Sequence, residues 1–177
     1  DFFYLTACHD PDVVLVITHT DNQIQSTMYV ADRRDHSTHE YFTDIHYGEL
    51  WVGPRRGVAE AAVHFGVATK PLEQLAADLA ARSTSRHAVV RGFDADVDAL
   101  IPPSDDDQAL IEALSHMRLV KDEFEIQQLQ RAVDYTIAGF EDVIRALPEA
   151  IGRGERVIEG VFNLRARVEG NEVGYET

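Results

Sequence analysis

The sequence predicts an α/β domain joined to a pair of amphipathic helices. Three observations predict it. Short apolar runs bounded by turn residues alternate with stretches whose apolar residues recur at steps of three and four. That alternation stops near Arg118, and only helical spacing follows. Finally, a hydrophobic content of 45% over 177 residues is enough to build a core. The expected division is an α/β domain over 1–117 and the start of a second, helical part over 118–177.

Phe2–Thr6 is dense in aromatic and branched residues and predicts a strand. His9-Asp10-Pro11-Asp12 is a turn in which proline fixes the backbone. Val13 to Thr18 is a nearly unbroken apolar run, the pattern of a strand buried on both faces. Asp21-Asn22 supplies the next turn and Ser26 to Ala31 a third strand, so the opening reads as an antiparallel meander. Asp32 to Tyr47 is polar, with His36, His39 and His46 inside it. Trp51 follows beside the breakers Gly53, Pro54 and Gly57. Val58 to Phe65 reads as a helix stopped by Gly66. Lys70-Pro71 opens another, with Leu72, Leu75 and Leu79 on one face. His87 to Arg91 reads as a short strand, and Asp94 to Ile101 as either a strand or a turn of helix. After Pro102-Pro103, Ser104 caps a helix whose first turn carries Asp105, Asp106 and Asp107, well placed against its N-terminal dipole.

In the second part, Asp122 with Glu125 forms a capping box, and Ile126, Leu129, Val133, Ile137, Phe140, Ile144 and Leu147 mark a long helix ending before Pro148. Gly152-Arg153-Gly154 turns the chain into a second helix from Glu155, with Val157, Val161, Leu164 and Val168 inward and Gly170-Asn171 closing it.

Charge and cysteine content exclude whole classes of function. Lys and Arg number 16 against 31 Asp and Glu, a formal charge of −15, which argues against nucleic acid and anionic membranes as partners. The lone Cys8 rules out an internal disulfide framework and a cysteine-based zinc site, and suits a reducing cytoplasm. No apolar run reaches the roughly 18 residues of a membrane span, and no signal peptide opens the chain. The chain starts at Asp1 and ends at Thr177 with elements already under way, and so reads as an internal stretch of a longer protein.

Chemical motifs are sparse. There is no phosphate-binding glycine loop, no nucleophile elbow and no H-E-x-x-H. His36-x-x-His39 offers two imidazoles, which cannot complete a tetrahedral site alone, and reads as a solvated loop. Cys8 and His9, being adjacent in a strand, would point to opposite faces. Trp51, the lone tryptophan, is either a buried anchor or a loop contact for substrate or a neighbouring subunit.

Four stretches in order resemble the Xaa-Pro aminopeptidase (aminopeptidase P) family. They are Asp1-Phe2-Phe3-Tyr4-Leu5-Thr6 with Asp10-Pro11-Asp12-Val13-Val14-Leu15; Trp51-Val52-Gly53-Pro54-Arg55-Arg56-Gly57; Met117 to Ile126, leading to Arg131-Ala132; and Gly174-Tyr175-Glu176-Thr177. Two departures stand out. The family usually has Gly where Ala7 stands, and Ser-Pro or similar after the position of Lys121.

The resemblance implies a creatinase/aminopeptidase-P-like mixed-sheet domain lacking its first elements, followed by the first helices of a pita-bread catalytic domain. It implies an enzyme releasing the N-terminal residue from peptides with proline second. Two divalent metal ions, usually manganese, would be held by ligands beyond Thr177, leaving this stretch without catalytic residues and inactive alone. It further implies a homo-oligomer, a dimer or tetramer. Trp51 would reach the active site of a neighbouring subunit. Tyr175 would line the metal site, its phenol orienting a metal carboxylate, or else be an aromatic packed at a strand start. Prolidase, a creatinase-like hydrolase and a non-catalytic oligomerisation or interaction domain are the alternatives.

Overall fold

The first hundred or so residues fold around a small mixed sheet, and the chain divides into two compact units, Asp1–Arg118 and Leu119–Thr177. This computed structural model describes residues 1–82, 85–170 and 174.

Phe2–Thr6 is a short helix, α1, not the strand its aromatic content predicts. Local bonds decide it. The Thr6 hydroxyl donates to the Phe2 carbonyl at 2.8 Å and the Ala7 amide to the Phe3 carbonyl at 2.7 Å, closing the turn without a ladder partner. Ala7, at φ 52° and ψ 21°, ends α1 in the left-handed region where glycine is at ease.

β1 (Val14–Thr20) and β2 (Gln23–Val30) form an antiparallel hairpin with Val14 opposite Tyr29 and Thr20 opposite Gln23. Its two-residue turn has Asp21 at φ 50° and Asn22 at φ 62°, the twin left-handed geometry that matches strand twist and that these residues tolerate. β1 is an edge strand, and Ile17 is 54% exposed, so its apolar run does not reflect burial on both faces. Burial on both faces belongs to the end of β2, where Met28, Tyr29 and Val30 are all buried. Nor does a third antiparallel strand extend the meander: the stretch from Ser26 lies within β2, the second strand.

The chain then crosses over through three helices, α2 (Glu40–Thr43), α3 (Glu49–Val52) and α4 (Val58–Phe65), the last ended by Gly66 at φ 67°. It returns as β3 (Ala68–Pro71), parallel to β2 with Thr27 opposite Ala68. The helix expected to open at Lys70 therefore begins later, with a 3₁₀ turn at Leu72–Gln74 and then α5 (Leu75–Ala80). Sheet order β1-β2-β3 leaves β2 central. Cys8, Met28, Val30 and Ala61 form the core on one face, with Phe2, Val13, Leu15, Val58, Phe65 and Val67 packed around them. From the other face the Tyr29 hydroxyl donates to Asp78 at 2.7 Å.

Residues 87–91 are irregular rather than a strand. Hydrogen bonds to Asp107 take the place of a ladder: the Val89 amide donates to its carboxylate at 2.8 Å and Arg91 Nε at 2.6 Å. Between them lies α6 (Ala95–Leu100), which settles the open reading of that stretch as helix, capped by Asp94 through the amides of Asp96 and Val97. α7 (Asp106–Leu119) starts where the aspartate run predicts, with Ser104 Oγ accepting from the Asp106 amide at 3.2 Å. Arg86 and Arg91 pair with Asp106 and Asp107.

The second unit is a helical hairpin. α8 (Glu123–Arg153) opens on the expected capping box: Asp122 accepts from the Glu125 amide at 2.8 Å and Glu125 from the Asp122 amide at 2.9 Å. It runs through Pro148 instead of stopping before it. Proline there removes one N–H and leaves the carbonyl one turn back unpaired, a cost that an exposed turn lowers by hydration. A Glu149–Arg153 ion pair and the Gly154 amide on the Ala150 carbonyl hold the last turn. α9 (Arg156–Glu169) folds back with Phe162 against Gly139, while Leu164 and Val168, expected inward, are exposed.

Candidate functional site

The loop-rich crossover between β2 and β3 carries Trp51, and the sequence locally dictates how it is held. α2 and α3 meet at Gly48, where a side chain would come within 2.4 to 2.8 Å of the carbonyls of Asp44, Glu40 and Tyr41, so only glycine lets the two turns close. Asp44 rigidifies the corner by accepting from the amides of His46 at 2.9 Å and Tyr47 at 3.0 Å. These two bonds hold its carboxyl below the ordinary carboxylate range, since they stabilise the charged form.

Glu49, the first residue of α3, anchors the turn to the rest of the domain. It takes Arg33 Nε at 2.8 Å, Arg33 Nη2 at 3.2 Å and the Arg55 amide at 3.1 Å. The bidentate Arg33 guanidinium lowers the Glu49 carboxyl below its usual value. Trp51 lies two residues further on. Its indole Nε1–H donates to the Phe42 carbonyl at 3.0 Å, and the residue is 58% exposed. Trp51 is therefore not a buried anchor within this chain. Its polar edge is already satisfied, so it offers an apolar ring to whatever binds it. Phe42, Ile45, Leu50 and Val52 are exposed on the same short helices and the turn between them.

A polar group sits on the same loop. Asp12, in the left-handed region at φ 59°, accepts from the Tyr47 hydroxyl at 3.0 Å and pairs with His46 Nε2 at 2.6 Å. Burial and the Asp12 contact push the Tyr47 phenol up to about 12. The Arg55 guanidinium lies 5.0 Å over the Tyr47 ring. This set clamps the turn before β1 to the corner that holds Trp51.

The remaining sequence-level sites fall into place. His39 lies at the start of α2, and among the described residues no three His, Cys, Asp or Glu side chains gather as a metal ion requires. Cys8 is buried in the core, and burial raises its thiol above the ordinary value, which disfavours a nucleophilic role. Tyr175 lies outside the described residues. Sequence reasoning singled out Trp51 but missed Glu49 and Arg33, which hold it. No spacing rule links residues 33 and 49; only the folded crossover joins them.

Comparisons with known proteins bear on the whole chain. The family described as the aminopeptidase P N-terminal domain matches residues 1–90. The chain is similar to Xaa-Pro aminopeptidase 1 of Streptomyces coelicolor, 44% identical over 178 aligned positions that cover 99% of this chain and 36% of that protein. It is also similar to Xaa-Pro aminopeptidase 2 of the same organism, at 39% identity, covering 99% of this chain and 38% of the relative. The chain thus spans little more than a third of the length of the curated relatives it matches.

Proposed function

Because this chain belongs to the aminopeptidase P N-terminal domain family, we propose that the protein is an Xaa-Pro aminopeptidase. It would be a hydrolase that releases the N-terminal residue of a peptide carrying proline in second place. The observation that supports this reading most is similarity along 99% of the chain to proteins named Xaa-Pro aminopeptidase, reaching past the family match at residue 90 through α8 and α9.

In this reading the chain supplies structure and a substrate contact rather than the reacting groups. The two divalent metal ions of the proposal, manganese by family resemblance, find no ligand cluster among the described residues. Trp51 contributes an apolar wall to a substrate site completed in a homo-oligomer. Its exposure, its satisfied indole N–H and the surrounding Phe42, Ile45 and Leu50 suit that role. Tyr175 is assigned the orienting of a metal carboxylate by the same resemblance. The compartment proposed is the cytoplasm, on the strength of the single Cys8 thiol; among the described residues no helix is long and apolar enough to cross a membrane.

The test uses the whole protein and a short peptide with proline second. Release of the N-terminal residue that manganese supports and a chelator abolishes is expected; no release from any such peptide overturns the proposal. Trp51→Ala should lower kcat/KM by roughly tenfold, the loss of about 1.4 kcal/mol of contact, while Trp51→Phe retains most of it. An unchanged kcat/KM in Trp51→Ala removes Trp51 from the site.

A further inference from the structure

The corner that carries Trp51 has no core of its own. α2 and α3 are four residues each, far shorter than the roughly 12–15 residues at which a helix begins to hold itself in water. No residue of either helix is buried, and Phe42, Leu50, Trp51 and Val52 all turn to solvent. Apolar packing therefore does not fix where the Trp51 ring stands. The polar contacts that tie the corner to the rest of its unit do. One tie runs through Glu49, whose amide donates to the Arg34 carbonyl at 3.1 Å and whose carboxylate takes Arg33. A second runs through Asp12. Its Oδ2 accepts from the Tyr47 hydroxyl at 3.0 Å and meets His46 Nε2 at 2.6 Å. Asp12 is itself firmly placed: the next residue, Val13, packs on the core, and β1 starts at Val14. Its left-handed backbone, at φ 59°, is one that aspartate tolerates better than most residues. Asp44 takes the amides of the same His46 and Tyr47, so this pair is gripped by backbone and side chain together.

We propose that Asp12 is a positioning residue for Trp51: through Tyr47 and His46 it sets the orientation in which the indole meets substrate. The inference rests on the reading of Trp51 as a substrate contact. A tie at Glu49 alone leaves the corner free to pivot about the start of α3. The tie at Tyr47, on the far side of buried Gly48, fixes its direction. Of the two Asp12 contacts, the exposed His46 pair contributes little by itself. The Tyr47 bond contributes more, because a hydroxyl on a half-buried ring under the Arg55 guanidinium donates to a charged acceptor. Losing this orientation weakens the contact without removing the ring, so the effect should be smaller than the roughly tenfold expected of Trp51→Ala.

Kinetics on a short peptide with proline second, together with amide exchange, test this on the whole protein. Asp12→Gly removes the carboxylate without straining the left-handed backbone, and Tyr47→Phe removes only the hydroxyl. Each should raise KM about three- to fivefold with kcat nearly unchanged, the pattern of a weakened substrate contact. Asp12→Asn keeps an acceptor oxygen and tolerates the same backbone, and should retain most of the parent's affinity. In a Trp51→Ala background Asp12→Gly should change KM no further. Exchange of the amides of residues 48–52 should quicken about three- to tenfold in Asp12→Gly, while α7 keeps its rate. Unchanged exchange at 48–52 overturns the tie. A KM effect that persists in the Trp51→Ala background overturns the route through Trp51. An insensitive Trp51→Ala refutes the substrate-contact reading and this inference with it. A sensitive Trp51→Ala beside insensitive Asp12→Gly and Tyr47→Phe refutes this inference alone.

Discussion

Ala7→Gly should stabilise this protein. Ala7 ends α1 at φ 52° and ψ 21°, a conformation in which an L residue sets its Cβ against the neighbouring carbonyl at a cost of about 1–2 kcal/mol. The residue is exposed, so removing its methyl group forfeits little packing. Its amide bond to the Phe3 carbonyl at 2.7 Å does not depend on the side chain. Against the relief stands the greater freedom of glycine in the unfolded chain, about 0.4–1 kcal/mol. The net gain is about 0.5–1 kcal/mol, a rise in Tm of about 1–3 °C for a chain this size. Ala7→Val supplies the opposite sign, because a branched side chain at positive φ is a steric outlier, and should cost about 1–2 kcal/mol. Urea unfolding followed by circular dichroism, with calorimetry for Tm, reads both. A destabilised Ala7→Gly, or an Ala7→Val as stable as the parent, refutes the strain argument.

Two further outcomes follow from the same geometry. The Glu49 carboxyl is held below its ordinary value by Arg33, so its folded pKa lies under its unfolded one. The stability it contributes is present above about pH 4.3 and is lost as pH falls through the folded value. Glu49→Gln should cost about 1 kcal/mol at neutral pH and flatten the acid limb of the stability profile; an unchanged limb sinks the anchoring role. In the second unit, a side chain at Gly139 would start 2.9 Å from the Phe162 ring, so Gly139→Leu should destabilise the helical hairpin by about 1–3 kcal/mol. Gly160→Ala, on open helix surface with no atom within 4 Å, should instead stabilise it by about 0.5–1 kcal/mol. Equal effects in urea denaturation would show that Phe162 does not pack as described.

The site was only partly legible beforehand. Trp51 stands out because a lone tryptophan beside Gly53 and Pro54 reads as a loop aromatic. Whether it was buried could not be read from composition, since the answer depends on α2 and α3 folding as a pair that leaves its ring outward. Its anchors Arg33 and Glu49 lie 16 residues apart with no periodic relation, and meet only through the crossover.

What the sequence determined by itself are the features closed by bonds between near neighbours. These are the Asp21-Asn22 turn, α4 ended by Gly66, the Asp122–Glu125 box and the start of α7. Each satisfies its own backbone within about four residues, so local chemistry suffices. Only the tertiary structure decided that β2 rather than β1 is central, that the 87–91 stretch spends hydrogen bonds on Asp107, and which face of α8 meets α9. Those outcomes turn on which distant surface reaches a segment first, and an apolar pattern is silent about its partner. The stripe on α8 makes the point: its spacing announced burial, and the fold gave α9 a different face.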